Sequence, residues 1–203
     1  MCDFNENYFE RGIASGLSLY SNYSWMPELT IRLAYSIIRL LDLQENTTVL
    51  DFGSAKGFLV KALRLLYIDA YGFDVSKYAI NCSDVEIRNK NRGYFCKSHF
   101  DYVISKDVLE HLEYGELQNW LYRFTLLTDK CFHVVPLGDG KTFNVHAYNL
   151  DSTHKIAQTV EWWIDIFSKQ GWEVKDILYR VKGIKDNYEA YTNGNGFFIL
   201  EKK

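Results

Sequence analysis

From Thr47 to Pro136 the chain alternates between a strand-like and a helix-like spacing of apolar residues, and no other feature limits its possible folds as strongly. "TTVLDF" (47–52) is a short β-branched and apolar run, suited to a strand covered on both faces. Gly57 to Tyr67 then has helical spacing, with Leu59, Ala62, Leu63 and Leu66 inward. "AYGFD" (70–74) reads as a second strand, "SKYAIN" (76–81) as the opening of a second helix and "YFC" (94–96) as a short third strand. "FDYVIS" (100–105) follows as a fourth strand, and a helix is expected from Val108 to Leu127 on the face made by Leu109, Leu112, Leu117, Trp120, Leu121 and Phe124. "CFHVVP" (131–136) is the fifth strand.

Strands that alternate with helices pair in parallel, because a parallel crossover needs a covering segment. The ending breaks the alternation: "VEWWIDIFSKQG" is a helix, while "WEVKDILYRV" and "GFFILEKK" are consecutive strands. The expected class is therefore α/β, a doubly wound, mostly parallel sheet of seven strands with an antiparallel hairpin at one edge. An opening helix is expected from Pro27 to Leu43, where Ile31, Ala34, Ile37, Ile38 and Leu41 share a face and Pro27 falls in the first turn.

With 203 residues, 47% of them apolar, the chain can bury one sizeable core. A single domain over 1–203 is expected, divided into an N-terminal flap and helix (1–45), a core (46–136), an insertion (137–155) and a C-terminal helix and hairpin (156–203). The insertion is polar, glycine-bearing and too long for an ordinary connection, as a segment covering a site would be. Lys plus Arg total 23 against 26 Asp plus Glu, so the net charge of −3 gives no long-range attraction to a phosphate backbone, and no nucleic-acid partner is expected. Cys2, Cys82, Cys96 and Cys131 are far apart without C-x-x-C spacing, which argues against a zinc site or disulfide framework. The acidic, polar start "MCDFNENYFERG" has no apolar leader, and no long uncharged apolar run follows. A cytoplasmic protein without a membrane partner is expected.

The stretch "VLDFGSAKGFLVKAL" (49–63) marks the ligand end of such a sheet. Ligands bind outside the carboxyl ends of the strands, and the turn after the first strand carries the glycines. Gly53, Ala55 and Gly57 leave the backbone uncluttered where the next helix presents its N–H groups. Asp74 closes the second strand, in reach of a ribose whose two hydroxyls a carboxylate can accept together. An adenosine-containing ligand fits both features. A dinucleotide fingerprint would need glycine at 55 and 58, where this chain has Ala55 and Phe58, which argues against a dehydrogenase.

The spacing Asp51-x-Gly53-x-Ala55-x-Gly57 resembles the first motif of the class I S-adenosylmethionine-dependent methyltransferases, D-x-G-x-G-x-G. "YGFDVS" resembles the family's second-strand motif, "FDYVISKDVLEHL" its fourth strand running into a helix, "CFHVVP" its fifth strand, and the terminal helix with two strands its edge hairpin. The resemblance spans about residues 47 to 203. It implies a Rossmann-like methyltransferase fold with S-adenosylmethionine as cofactor. It implies too that Asp51, Gly53, Ser54, Ala55 and Gly57 lie along the cofactor's amino acid part, Asp74 and Val75 at its ribose and adenine, and Ser105 or Lys106 at the methionine side. Ala55 departs from the motif's middle glycine.

Methyl transfer from a sulfonium is an in-line displacement, so a base is needed only where the acceptor must lose a proton. His111, one turn into the helix expected after the fourth strand, is the leading candidate; His146 and His154 of the insertion are its rivals. His133 is expected in the core and His99 in a loop. The aromatic-rich stretch around Tyr8, Phe9, Tyr20, Tyr23 and Trp25 reads either as a flap over cofactor and acceptor or as a segment packed against the sheet or a partner subunit, and exposed aromatics would favour a homodimer. At least one of Trp162 and Trp163 must face inward. Base-amino methylation is disfavoured, because the proline-containing tetrapeptide typical of it is replaced by Ser105-Lys106-Asp107-Val108. Asp107 and Asp139 do not reproduce the acid cluster of catechol-type enzymes, so no metal is expected. The expected function is O-methylation of a small molecule, a sugar or phosphorylated metabolite. The alternative is a non-catalytic S-adenosylmethionine-binding regulatory or scaffold protein.

Overall fold

The computed structural model describes residues 4–84, 87, 90–95 and 97–203. They fall into two compact units, Met1–Ser98 with Leu150–Ser152, and His99–Asn149 with Thr153–Lys203. In the first unit, α1 (Glu6–Ser15) starts where the Asn5 side chain accepts the N–H groups of Asn7 and Tyr8, and ends at the left-handed Gly16. Helix α2 (Pro27–Leu41) has proline at its start and buries Ala34, Ile37 and Leu41, three of its helical-period positions. Then come β1 (Thr48–Phe52), α3 (Phe58–Leu65), β2 (Asp69–Phe73), α4 (Lys77–Asn81) and β3 (Asn91–Arg92). These strands run in the order β3-β2-β1, both pairings parallel.

The second unit holds β4 (Tyr102–Lys106), a 3-10 turn (Leu109–His111), α5 (Tyr114–Phe124), β5 (Lys130–Pro136), α6 (Val160–Lys169), β6 (Trp172–Leu178) and β7 (Asn195–Lys202). Its order is β4-β5-β7-β6, parallel between β4 and β5 and antiparallel in the two pairings of β7. Among the described residues the strands number seven, and the count and the antiparallel edge are those the sequence predicts. Among the described residues no helix is long and apolar enough to cross a membrane.

Three local expectations need correction. The third strand is Asn91–Arg92 rather than "YFC"; Tyr94 and Phe95 lie beyond it, and Cys96, like Cys2, falls outside the described residues. The helix expected from Val108 to Leu127 is broken: a 3-10 turn is followed by extended backbone at Leu112 and Glu113. There α5 starts anew on a capping box, in which the Glu113 side chain caps the Glu116 N–H and the Glu116 carboxylate takes the Glu113 N–H at 3.0 Å. His111 thus stands on the 3-10 turn and not on a helix. Finally, α3 stops at Leu65, before the left-handed Tyr67.

Trp163 is the inward-facing tryptophan of its pair, fully buried, while Trp162 is half-buried. His133 is a core residue, as expected: its ring lies 5.7 Å from both Phe124 and Phe167, and Nδ1 is 2.8 Å from the Ser105 hydroxyl. Burial pushes its pKa down to about 3. The unfolded chain takes up this proton below about pH 6.5 while the folded chain refuses it until about pH 3, so the fold loses stability across that interval as pH falls. Between pH 7 and pH 5 the wild type should lose about 2 kcal/mol that a His133→Gln variant retains, read from denaturant midpoints at the two pH values.

Candidate active site

The first unit supplies a glycine-spaced loop. Asp51 is buried at the end of β1, and the chain then turns through Gly53, Ala55 and Gly57, which all have positive φ, at +79°, +49° and +77°. The Gly53 and Ser54 N–H groups donate to the Phe73 carbonyl at 2.8 and 3.1 Å, tying the loop to the end of β2. Asp74, buried just beyond β2, accepts the Ala55 N–H on Oδ2 and the Ser76 N–H on Oδ1, both at 2.7 Å. Burial raises the Asp74 pKa, against the pull of the N–H groups of Ser76, Ala55 and Val75. Each carboxylate oxygen keeps a further lone pair, so the same group can still accept hydroxyls. Val75, the next residue, leaves an apolar side chain exposed.

Two side chains hold this loop that sequence reasoning passed over. Asn91, fully buried on β3, accepts from the Ser54 hydroxyl at 2.5 Å and donates to the Ala55 carbonyl at 2.9 Å and the Ser83 hydroxyl at 2.6 Å. The arrangement needs glycine at 72, where a Cβ would stand 2.2 Å from the Asn91 Oδ1 and 2.6 Å from the Ser54 Oγ. Lys56 turns back to the N-terminal segment, with its ammonium 2.5 Å from the Glu10 carboxylate and 2.6 Å from the Tyr23 carbonyl. That segment packs on the loop's own unit: Tyr8 and Phe9 are buried with Ala79, against Tyr20, Tyr23, Tyr78 and Ala55. No periodicity marks Asn91, and a lysine in a glycine-rich turn looks like any solvated charge.

The second unit supplies a polar cluster after β4. Ser105 is buried with its hydroxyl on His133, so that side chain is committed inside the core. Asp107, at φ +56°, is flanked by Lys106, 2.5 Å from its Oδ2, and by Lys185 on its Oδ1. Burial alone would raise its pKa, but the two lysines hold it well below the carboxylate range. Lys185 also donates to the Tyr148 hydroxyl at 2.8 Å and to the Asn195 side-chain carbonyl at 2.7 Å. Burial lowers the Lys185 pKa, against the pull of Asp107.

Of the three histidines expected in catalysis, two meet: the rings of His111 and His154 are 4.5 Å apart. His111 Nδ1 lies 2.8 Å from the Thr153 hydroxyl, and His154 Nδ1 lies 2.7 Å from the Tyr148 carbonyl. Beside them Glu110 is fully buried, with its backbone carbonyl accepting from Lys155 and Ile156 at 2.8 and 3.0 Å. Burial, and then Asp107, push its pKa up to about 8. His146 is exposed and is not part of this group, and Asp139 is exposed as well. Glu110, Lys185, Tyr148 and Asn195 were not selected from the sequence, where they are scattered over three separate segments.

A family model described as a methyltransferase domain matches residues 28–134. The chain belongs to that family, the class I S-adenosylmethionine-dependent methyltransferases. No curated protein sequence matches it. Among solved structures it is similar to a chain of the complex between the Haloferax volcanii Trm112 methyltransferase activator and a methyltransferase, at 15% identity over 87% of this chain and 91% of that one, with a TM-score of 0.65. A TehB-like S-adenosylmethionine-dependent methyltransferase from Corynebacterium glutamicum aligns at 13% identity over 95% and 93%, with a TM-score of 0.62. Phosphoethanolamine N-methyltransferase 2 of Haemonchus contortus, solved with phosphomonomethylethanolamine and S-adenosylhomocysteine, aligns at 16% identity over 85% of this chain and 52% of that one, with a TM-score of 0.59.

The loop geometry gives two expected outcomes. Ala55 carries a Cβ in backbone that favours glycine, at a cost of roughly 1 to 2 kcal/mol, so Ala55→Gly should raise the denaturation midpoint. Asn91→Ala leaves the Ser54 hydroxyl and the Ala55 carbonyl unpaired in the interior and should lower stability by about 2 kcal/mol or more, with weaker cofactor binding in calorimetry.

Proposed function

We propose that the protein is a cytoplasmic enzyme that methylates an oxygen atom of a small molecule, a sugar or a phosphorylated metabolite. The observation that carries this reading is the His111–His154 pair beside buried Glu110, a set of groups able to take and hold a hydroxyl proton. In the first unit, Asp51, Gly53, Ser54, Ala55 and Gly57 would hold the amino acid part of S-adenosylmethionine. Asp74 would hold the ribose hydroxyls and Val75 the adenine. The chain fits this cofactor because the Asp74 carboxylate is already fixed by two N–H groups and retains acceptor capacity. When bound, S-adenosylmethionine supplies a methyl group on a sulfonium, a good leaving group.

The protein's own part is positional. Asp107 is paired with Lys106 and Lys185, and the partly exposed Lys106 would offer a cation to an anionic acceptor. The ligand of the Haemonchus contortus neighbour is likewise a phosphorylated small molecule. His111 or His154 would accept the acceptor's proton, and exposed His146 would serve only at the rim.

Calorimetric titration of S-adenosylhomocysteine should show binding by the wild type, weakened by about 1 to 3 kcal/mol in Asp74→Ala through loss of charge-assisted ribose contacts. Because Asp74 also clamps the loop, the variant's thermal melt is recorded beside it. A folded wild type that binds neither S-adenosylmethionine nor S-adenosylhomocysteine would sink the reading. With binding in hand, methyl transfer to hydroxyl-bearing sugars and phosphorylated metabolites should fall by roughly two orders of magnitude or more in His111→Ala.

A further inference from the structure

Glu110 is fully buried, and neither of its carboxylate oxygens has a hydrogen-bond partner among the described residues. A carboxyl is rarely buried without its polar atoms being satisfied, so this one calls for a partner of another kind. The neighbouring Asp107 is matched by Lys106 and Lys185, and neither lysine hydrogen-bonds Glu110.

His111 and His154 stand where that partner would be shared. One ligating atom from each of Glu110, His111 and His154 lies within 4.8 Å of the other two. The Tyr148 carbonyl beside His154 Nδ1 can only accept, so Nδ1 carries the hydrogen and the lone pair is on Nε2. The Thr153 hydroxyl beside His111 Nδ1 can accept in the same way. Imidazoles tied at one nitrogen to a carbonyl or hydroxyl are oriented as metal-binding histidines commonly are. The carboxylate, the two imidazoles and their outer partners all come from the second unit.

We propose that Glu110, His111 and His154 bind one divalent transition-metal ion. Two imidazoles and one carboxylate suit manganese, iron, cobalt, nickel or zinc rather than magnesium or calcium, and three protein ligands leave positions for water or an acceptor oxygen. The sequence carries no ligand spacing that announces such a site, because His154 is brought to the Glu110–His111 dipeptide only by the insertion. The ion's role rests on the oxygen-acceptor reading above. With the ion bound, an acceptor hydroxyl on it would become more acidic and pass its proton to water, and this replaces the proton transfer to His111 or His154 that the metal-free site would use.

The test is titration of cobalt(II) chloride into the full-length chain without an affinity tag, followed by visible ligand-field absorption and equilibrium dialysis. One cobalt per chain, displaced by zinc and bound at least about tenfold more weakly by both Glu110→Gln and His154→Ala, is the expected result. Where either variant fails to melt cooperatively, His111→Gln replaces it. Equal cobalt uptake by wild type and variants, or no ligand-field bands in a folded wild type, overturns the metal site. S-adenosylhomocysteine calorimetry on the same samples reports the methyl-donor reading separately: cobalt binding that the variants lose, in a wild type without S-adenosylhomocysteine affinity, keeps the metal site and removes its proposed role.

Discussion

The Asp74 carboxylate is the fixed point of the first unit. Its two oxygens take the N–H groups of Ala55 and Ser76, and through them it sets both the glycine-spaced loop and the start of α4. Ser76 passes the constraint on: its hydroxyl caps α4 by accepting the Ala79 N–H at 3.0 Å and donates to the Phe4 carbonyl at 2.5 Å. The N-terminal segment is thereby held to the same few residues as the loop, and Lys56 adds a second tie through Glu10. A buried carboxylate held by backbone N–H groups is worth more than an exposed ion pair, because those donors cannot move away to solvent.

The second unit is organised by unequal treatment of like groups. Asp107 and Glu110 are close in the chain, yet two lysines keep the first ionised while burial and that same charge raise the second. The histidines divide in a similar way. His133 is enclosed by aromatic rings and stripped of its proton, so it contributes packing. His111 and His154 are half-buried and held by polar partners, so they keep chemical capacity. What separates these roles is neighbours and water, not residue type.

Most elements were legible in the sequence to within a residue or two, because burial of one face imposes a period that composition alone cannot mimic. The failures fall where no period exists or where a stronger local signal overrides it. Strand β3 is two residues long and shows no alternation. The break before α5 sits inside an apolar-periodic run, where the Glu113–Glu116 capping box restarts the helix. In the ligand loop the glycine spacing and Asp74 were visible, while Asn91 and Lys56 were not, since their partners are backbone groups and side chains remote in the chain.

The sequence by itself determined the α/β class, the antiparallel edge, the glycine-spaced loop and the acid after the second strand. These follow from periodicity and from glycine placement, both local properties. Only the tertiary structure decided which histidines meet, that the Glu110 carboxylate has no hydrogen-bond partner among the described residues, and that Lys185, Tyr148 and Asn195 gather at Asp107. A pKa or a ligand set depends on what surrounds a group within a few ångströms, and residues far apart in the chain supply those surroundings.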